Sequence, residues 1–176
     1  MAAGAAGALA ARGRGCGRGA KLLYSNGRIQ HAGVILGIGG VAGHSHKRVD
    51  NEDHGYFSRP HLTQNVSAVT GACLMVKRAL WEELGGLNEE QLAIAFNDID
   101  FCLRLRAKGL VNIYEPQALL YHHESISRGF EDSPEKQERF LKETQNMKAL
   151  HGRFLLETDP YFNPNLSAYS EIFMTR

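Results

Sequence analysis

The sequence lacks the features that mark membrane-spanning and nucleic-acid-binding proteins. Its net charge is +1 with histidine neutral, which gives no electrostatic reason for nucleic acid or an anionic membrane to be the main partner. The longest uncharged apolar stretches, residues 32–43 and 68–76, are far shorter than the roughly 20 residues that cross a bilayer, so no membrane span is predicted. With 176 residues and a hydrophobic content of 43%, the chain is long enough to build one domain with a core.

Cysteine is also scarce. The three cysteines are Cys16, Cys73 and Cys102, and none of them forms a CxxC pair. Because Cys73 and Cys102 lie within apolar patterns, we predict that they are buried, reduced thiols. Reduced thiols favour a cytoplasmic location, either free or peripheral at the inner membrane.

The chain divides into a low-complexity start and a folded remainder. Residues 1–18 are almost entirely Ala, Gly and Arg, a composition that predicts disorder, and residues 19–176 form the predicted folded unit. A hairpin turn is predicted at 25–27, because Asn-Gly tolerates positive φ, and 44–60 is predicted to be a long surface loop. Apolar periodicity predicts strands at 21–24, 28–36, 68–76, 111–114 and 118–122, and helices at 78–84, 98–108 and 133–150. Strands that alternate with helices indicate an α/β or α+β fold.

Two carboxylates, Asp98 and Asp100, stand at the start of the predicted central helix. One interpretation is helix capping, in which Asn97 or Asp98 accepts hydrogen bonds from free backbone N–H groups and Asp100 complements the helix dipole. The other is catalysis, because a carboxylate on a rigid element can take a proton from a substrate hydroxyl. A helix N-terminus favours a charged carboxylate, which suits a base or a metal ligand and not a general acid. The local sequence leaves both interpretations open.

Two histidine pairs are candidates for metal ligands. His122 and His123 end a predicted strand, where neighbouring side chains point to opposite faces, so at most one of them can line a given site. The alternative for this pair is one core and one surface histidine. His44 and His46 form an HxH with no third ligand at a helpful spacing, and we interpret their loop as solvated.

Three further features have simple structural interpretations. Residues 37–42 match GxGxxA, but no helix is predicted after them, so nucleotide binding there is not expected. Arg104 and Arg106 are interpreted as a solvated helix face, and Trp81 as a core residue. The basic Ser-Arg-Gly stretch around Arg128 either binds a phosphate group or is a plain surface loop.

Three segments, in their order and spacing, carry a resemblance to one family. They are KLLYSNGRIQHAGV at 21–34, TGACLMVKR at 70–78 with GGLNE at 85–89, and FNDIDFCLR at 96–104 with YHHES at 121–125. Together they resemble the C-terminal half of family 2 glycosyltransferases, particularly the bacterial cell-surface polysaccharide type. The match covers roughly residues 19–173.

The resemblance implies a GT-A fold, of which this chain forms the C-terminal portion of the mixed sheet with its flanking helices. It implies transfer of a sugar from a nucleotide-diphosphate donor to a hydroxyl of a glycan or lipid-linked acceptor, with inversion. Asp98 falls on the position of the catalytic base, and Asn97 stands where the family usually carries Glu. His122 matches a position that coordinates a divalent metal, Mn²⁺ or Mg²⁺. By the same resemblance, the further candidates are acceptor-binding Thr70, Gly71, Ala72, Asn97 and Asp100, and cofactor-binding Arg128.

The chain departs from the family because it has no nucleotide-binding half with a DxD metal motif ahead of Lys21. This departure predicts a truncated form that is inactive alone, with an incomplete metal site and an open sheet edge that favours self-association. Two alternatives stay open. One is a non-catalytic module that binds sugar or protein through the same cleft, and the other is a metal-dependent hydrolase that uses the histidines and carboxylates.

Overall fold

The structure, a computed structural model, describes residues 15–123 and 133–175. Within these residues, strands and helices form a mixed α/β fold, which confirms the class expected from the sequence. The strands are β1 (Gly15–Leu23), β2 (Ile29–His31), β3 (Val34–Leu36), β4 (Ala42–His44), β5 (Gln64–Val66), β6 (Leu74–Val76) and β7 (Val111–Tyr121). The α-helices are α1 (Arg78–Leu84), α2 (Asn97–Ala107) and α3 (Pro134–Leu156).

Five of the strands form one curled, mixed sheet around β1. This central strand is parallel to β7 and antiparallel to β2 and β6, which pair with different halves of it. β5 pairs antiparallel with the first half of β7, and β3 and β4 form a separate antiparallel pair. The main core joins this sheet to α2 and α3 through buried side chains that include Leu23, Val69, Leu103, Tyr114 and Met147.

The turn between β1 and β2 is the hairpin turn that the sequence predicts. Gly27 has φ of 79°, its N–H donates to the Tyr24 carbonyl at 3.0 Å, and Tyr24 N–H donates to the Arg28 carbonyl at 2.9 Å. The predicted strand 28–36 is split after His31, because Gly33 has φ of 93° and its position for a Cβ lies 2.8 Å from a methyl of Val66. Only glycine combines that conformation with so close an approach.

β1 starts at Gly15 and so includes residues 15–18 of the segment predicted to be disordered. Its glycines allow neighbours to approach closely: a Cβ at Gly19 would lie 2.4 Å from the Cβ of Val69. Arg18 is buried beside Glu115, with 3.8 Å between their charged groups. The rest of the low-complexity segment lies outside the described residues, and the division into domains stays a prediction.

The predicted buried strand 68–76 is a strand only at its end. Ala68 and Val69 are buried, but residues 71–73 form a 3₁₀ turn, which Thr70 caps by accepting a hydrogen bond from Ala72 N–H at 3.3 Å. Of the two thiols predicted to be buried, Cys102 is buried and Cys73 is half-buried, and both are free.

β7 is one strand with a bulge where the sequence predicts two strands around Pro116. The pairing with β1 steps from Ala20 opposite Glu115 to Lys21 opposite Leu119. Residues 116–118 therefore have no partners in β1, which is expected because proline has no N–H to give to the ladder.

The loop 44–60 is only in part the solvated surface loop predicted from the sequence: residues 52–55 are exposed, but its start is buried. His46 is 1% exposed; its Nδ1 lies 2.7 Å from Ser45 Oγ, and its Nε2 accepts a hydrogen bond from Tyr56 N–H at 3.3 Å. The ring of Phe173, from the C-terminal tail, stacks on the imidazole at 4.6 Å between ring centroids. The tail and the 3₁₀ helix at 56–61 therefore cover a loop that looks polar in the sequence.

The helices begin where the sequence predicts. α1 has the predicted bounds and ends at Gly85, whose φ is 73°, and Ser133 Oγ caps α3 by accepting from Lys136 N–H at 3.4 Å. α3 continues to Leu156, beyond the predicted end at Leu150, with a departure from helical geometry at His151. None of the helices in the described part of the chain combines the length and apolar character of a membrane span.

Candidate active site

The entry into α2 holds Asp98 at the surface. Phe96 precedes the helix with a left-handed φ of 64°, a conformation that a bulky residue keeps only where its surroundings enforce it. Here the buried carboxylate of Glu143, on α3, accepts hydrogen bonds from Ile94 N–H at 3.2 Å and Ala95 N–H at 2.7 Å. A long-range contact therefore fixes the backbone that leads into the helix.

Asp98 is partly exposed and contacts the acceptor wall, which is the segment 70–72 predicted to bind the acceptor. Its Oδ1 accepts a hydrogen bond from Ile99 N–H at 2.8 Å, and its Oδ2 accepts one from Gly71 N–H at 2.7 Å. The first of these contacts is the capping that the sequence leaves open, and the second joins the predicted base to the predicted wall. Gly71 and Ala72 are exposed and Thr70 is half-buried, so the carboxylate lies beside an accessible stretch of backbone.

Asp100, two residues further on, has a different environment. It is 2% exposed; its Oδ1 lies 2.7 Å from His151 Nε2, and its Oδ2 lies 2.8 Å from Arg104 Nη2. Burial alone raises the pKa of Asp100, but the hydrogen bonds from His151 and Arg104 outweigh it and lower the pKa overall. Both oxygens are thus engaged, and the acceptor-binding role predicted for Asp100 stays a prediction.

Arg104 and Arg106 are not the solvated face that the sequence predicts. Besides its ion pair, Arg104 donates hydrogen bonds to the carbonyls of Leu84 at 2.6 Å and Gly86 at 2.7 Å, and so ties α2 to the end of α1. Arg106 donates to Ser67 Oγ at 3.0 Å, and its guanidinium lies 5.1 Å from the centre of the Phe154 ring. Arg104 lines, with Asp100 and His151, an open depression of about 460 Å³. Trp81, predicted to be a core residue, is 37% exposed and contacts the ring of Phe101.

His31 is a buried residue that contacts the acceptor wall at Thr70. Its role was not identified from the sequence. It is fully buried, and its Nε2 accepts hydrogen bonds from Gly33 N–H at 3.3 Å and from Thr70 N–H at 3.5 Å. Because Nε2 accepts, Nδ1 carries the proton and donates it to Nδ1 of His44 at 2.9 Å. Burial, assisted by His44, lowers the pKa of His31 well below its usual range, so the ring stays neutral.

His122 and His123 lie just after β7 and make different contacts. His122 is half-buried and its Nδ1 lies 2.9 Å from Oε1 of Gln30; His123 is exposed and its Nδ1 lies 2.7 Å from Ser25 Oγ. Since an amide oxygen only accepts, Nδ1 of His122 carries the proton and Nε2 keeps the lone pair that a metal needs. The described residues nevertheless bring no three His, Cys, Asp or Glu side chains together as metal ligands. The metal role of His122 stays a prediction.

Asn97, predicted to bind the acceptor, is half-buried at the first position of α2, directly before Asp98. Arg128, predicted to bind the cofactor, lies outside the described residues.

The chain is similar to known bacterial proteins, one of them uncharacterized and one named for O-antigen biosynthesis. No family model matches the chain. It is 55% identical over 161 residues to the uncharacterized protein y4gI of Sinorhizobium fredii, covering 91% of this chain and 18% of that protein. It is 36% identical over 150 residues to the O-antigen biosynthesis protein RfbC of Myxococcus xanthus, covering 85% of this chain and 11% of that protein.

A shorter match points in the same direction. Over 64 residues, 36% of this chain and 20% of the relative, it is 33% identical to an N-acetylglucosaminyl-diphospho-decaprenol L-rhamnosyltransferase of Mycobacterium tuberculosis. The chain therefore spans a fifth or less of the length of each of these relatives. Over the stretches that match, the chain is similar to glycosyltransferase-like proteins of polysaccharide biosynthesis.

Proposed function

We propose that this chain is the acceptor-side, catalytic-base part of a family 2 glycosyltransferase with a GT-A fold. The reaction is transfer of a sugar, with inversion, from a nucleotide-diphosphate donor to a hydroxyl of a glycan or a lipid-linked acceptor. The observation that carries the proposal is the 2.7 Å hydrogen bond from Gly71 N–H to Oδ2 of Asp98. It holds a partly exposed carboxylate against an exposed wall of backbone.

The geometry of Asp98 suits a general base. A carboxylate has about four acceptor positions, and the two backbone N–H groups occupy one on each oxygen. Two positions are left for an acceptor hydroxyl, and the two bonds fix the orientation of the carboxylate. A base held in this way on a rigid element typically contributes a factor of about 10²–10⁴ to the rate.

In the proposed step, Asp98 accepts the proton that the acceptor hydroxyl loses. The acceptor oxygen forms a bond to the anomeric carbon from the face opposite the leaving group, while its proton passes to Asp98. The bond between the anomeric carbon and the diphosphate oxygen breaks, and the nucleoside diphosphate leaves with the electron pair. Attack from the opposite face inverts the anomeric configuration.

Other residues have supporting roles in the proposal. Thr70, Gly71, Ala72 and Asn97 contact the acceptor beside Asp98, and Asp100, predicted to bind the acceptor as well, serves this site by holding α2 in position. The proposal assigns the diphosphate to Arg128 and a divalent metal, Mn²⁺ or Mg²⁺, to His122. The described residues do not complete a metal site, so no step is derived through the metal.

Self-association through a sheet edge belongs to the proposal as well. β5 covers only residues 112–114 of β7, and in the described part of the chain residues 119–121 pair with β1 alone. Leu119 and Tyr121 are 40% and 54% exposed. An edge of this kind can pair with a strand of another chain.

A segment exchange tests the proposal. The chain replaces the matching residues of RfbC in Myxococcus xanthus, and the O-antigen that the chimera produces is quantified. We expect the chimera to support synthesis, and Asp98→Asn to reduce it at least about 100-fold because the amide cannot accept the proton.

Glu90→Gln is the matched control, because Glu90 is an exposed carboxylate whose removal leaves the base intact. It should leave synthesis unchanged. O-antigen made equally well by the Asp98→Asn chimera would contradict the base assignment. A folded chimera that makes none while carrying Asp98 would contradict the proposed function.

A further inference from the structure

The bulge of β7 opens a cavity against the side of β1. Pro116 interrupts the pairing with β1, so the ladder resumes only at Leu119, opposite Lys21. The space beside the bulge has a volume of about 230 Å³ and is lined by Lys21, Asn51, Glu52, His61 and Gln117, together with Pro116 and Leu119. Most of these side chains are polar, although the cavity borders the centre of the sheet.

Lys21 is an unusual residue for this position. Its neighbours Ala20 and Leu22 belong to an apolar cluster on the opposite face of β1, and Lys21 itself is 2% exposed. Its ammonium makes one long hydrogen bond, at 3.4 Å to the carbonyl of Asn51, and no ion pair within the described residues. Burial lowers the pKa of Lys21, while the charge of Glu52 opposes that shift. A buried ammonium with unused donors favours a ligand that brings acceptors to it.

Asn51 offers the complementary group in the same cavity. Its amide Nδ2 donates to Oε1 of Glu52 at 2.8 Å, which fixes the orientation of the amide, because a flipped amide would place two acceptors against each other. In that orientation Oδ1 is buried and has no hydrogen-bond partner. A residue that lines the cavity therefore carries an unsatisfied acceptor, close to the underused donor of Lys21.

From these groups we infer that the cavity between Lys21 and Asn51 binds a neutral, polyhydroxylated ligand the size of a monosaccharide. A hydroxyl both accepts and donates, so adjacent hydroxyls satisfy the Lys21 ammonium and the Asn51 Oδ1 together. An anion would satisfy Lys21 but would face the carboxylate of Glu52. The choice of a sugar among such ligands rests on the proposed function, which the cavity extends by a sugar subsite away from Asp98.

Titration of the intact chain with free sugars tests this inference. In ¹H–¹⁵N correlation spectra, N-acetylglucosamine or L-rhamnose should shift the backbone signals of Asn51, Glu52 and Gln117, with a dissociation constant of about 1–10 mM. Lys21→Met should raise that constant about tenfold or more, because a hydrogen bond to a charged donor is lost. Asn51→Ala should also weaken binding, by a smaller factor.

Lys142→Met is the matched control, because Lys142 is exposed on α3, and it should bind the sugars as the unsubstituted chain does. If neither sugar shifts the cavity signals of the unsubstituted chain, the inference is overturned, whether or not the Lys21 variant folds. Inorganic phosphate shifting those signals at lower concentration than the sugars would overturn it too. If the sugars do not bind but Asp98→Asn still abolishes O-antigen synthesis, the inferred subsite is wrong and the proposed function is retained.

Discussion

Asp98 and Asp100 are two residues apart on one helix and differ in almost every physical respect. Asp98 is partly exposed, and both of its hydrogen bonds come from backbone N–H groups. Asp100 is buried, and its partners are the charged or polar side chains of Arg104 and His151. The first lies beside an accessible stretch of backbone, and the second joins α2 to α3.

The difference comes from helical geometry. Residues i and i+2 of an α-helix point in directions about 200° apart, so the Asp-Ile-Asp sequence cannot present both carboxylates to one ligand. In an extended segment the same two residues would face the same side. Two aspartates spaced as DxD on a helix therefore place one carboxylate towards the surface and the other in the core.

The largest expected effect is on stability, from Asp100→Ala. Without the Asp100 carboxylate, the partly buried Arg104 loses its ion-pair partner and His151 loses its hydrogen-bond acceptor. The free energy of unfolding should therefore fall by about 3–5 kcal/mol. Asp98→Ala loses two backbone hydrogen bonds at the surface and should cost only about 1 kcal/mol. Urea denaturation of both variants measures the contrast, and equal losses would contradict the division between the two carboxylates.

Acid denaturation separates Asp100 from the buried histidines. Burial lowers the pKa of His46 to about 4, so the unfolded chain binds the proton first, and stability is lost as the pH falls from about 6.5 to 4. At pH 5 this loss is about 2 kcal/mol for His46, and neutral His31 adds to it. The lowered pKa of Asp100 acts in a different window, because its contribution is complete above the unfolded pKa of about 3.9 and is lost only below it.

Stability curves between pH 7 and pH 2 test this separation. His46→Gln should flatten the upper part of the curve, and Asp100→Asn should flatten the part below about pH 4. His123→Gln, at an exposed histidine, serves as the control for the histidine substitution. A His46→Gln curve that keeps the slope of the unsubstituted chain between pH 6.5 and 4 would show that His46 is not buried as a neutral ring.

A smaller effect is expected from Gly71→Ala, which crowds Asp98 from the wall. The new Cβ would lie 3.2 Å from the Cβ of Asp98, so the carboxylate or the wall must move by a few tenths of an ångström. Displacement of a base on this scale should lower sugar transfer by the chimera about tenfold. Gly152→Ala is the control, because its added methyl meets nothing within 4 Å; an equal loss in that variant would remove the link between wall and base.

Features set by neighbouring residues could be predicted from the sequence. The bounds of α1, the turn at Asn26 and Gly27 and the Ser133 cap all depend on residues a few positions apart. The resemblance assigns both Asp98 and residues 70–72 to the acceptor side, but no local pattern connects them, and their contact is seen only in the structure.

Features set by distant residues could not be predicted. The sequence around His46 predicts a solvated residue, but Phe173 covers it. The sequence around Arg104 predicts a surface residue, but its guanidinium donates to the carbonyls of Leu84 and Gly86. The contact of Asp100 with His151 joins residues 51 apart. Hydrophobic periodicity carries no information about such polar contacts, because it reports which face of an element is buried and not what covers it.

The most direct test of the account is sugar transfer by purified chimeras, with the amount of folded protein equalised, for Asp98→Asn beside the unsubstituted chain. The account predicts transfer reduced at least about 100-fold while the free energy of unfolding changes by no more than about 1 kcal/mol. Transfer within about threefold of the unsubstituted chimera would contradict it, because Asp98 would then not be the group that removes the proton.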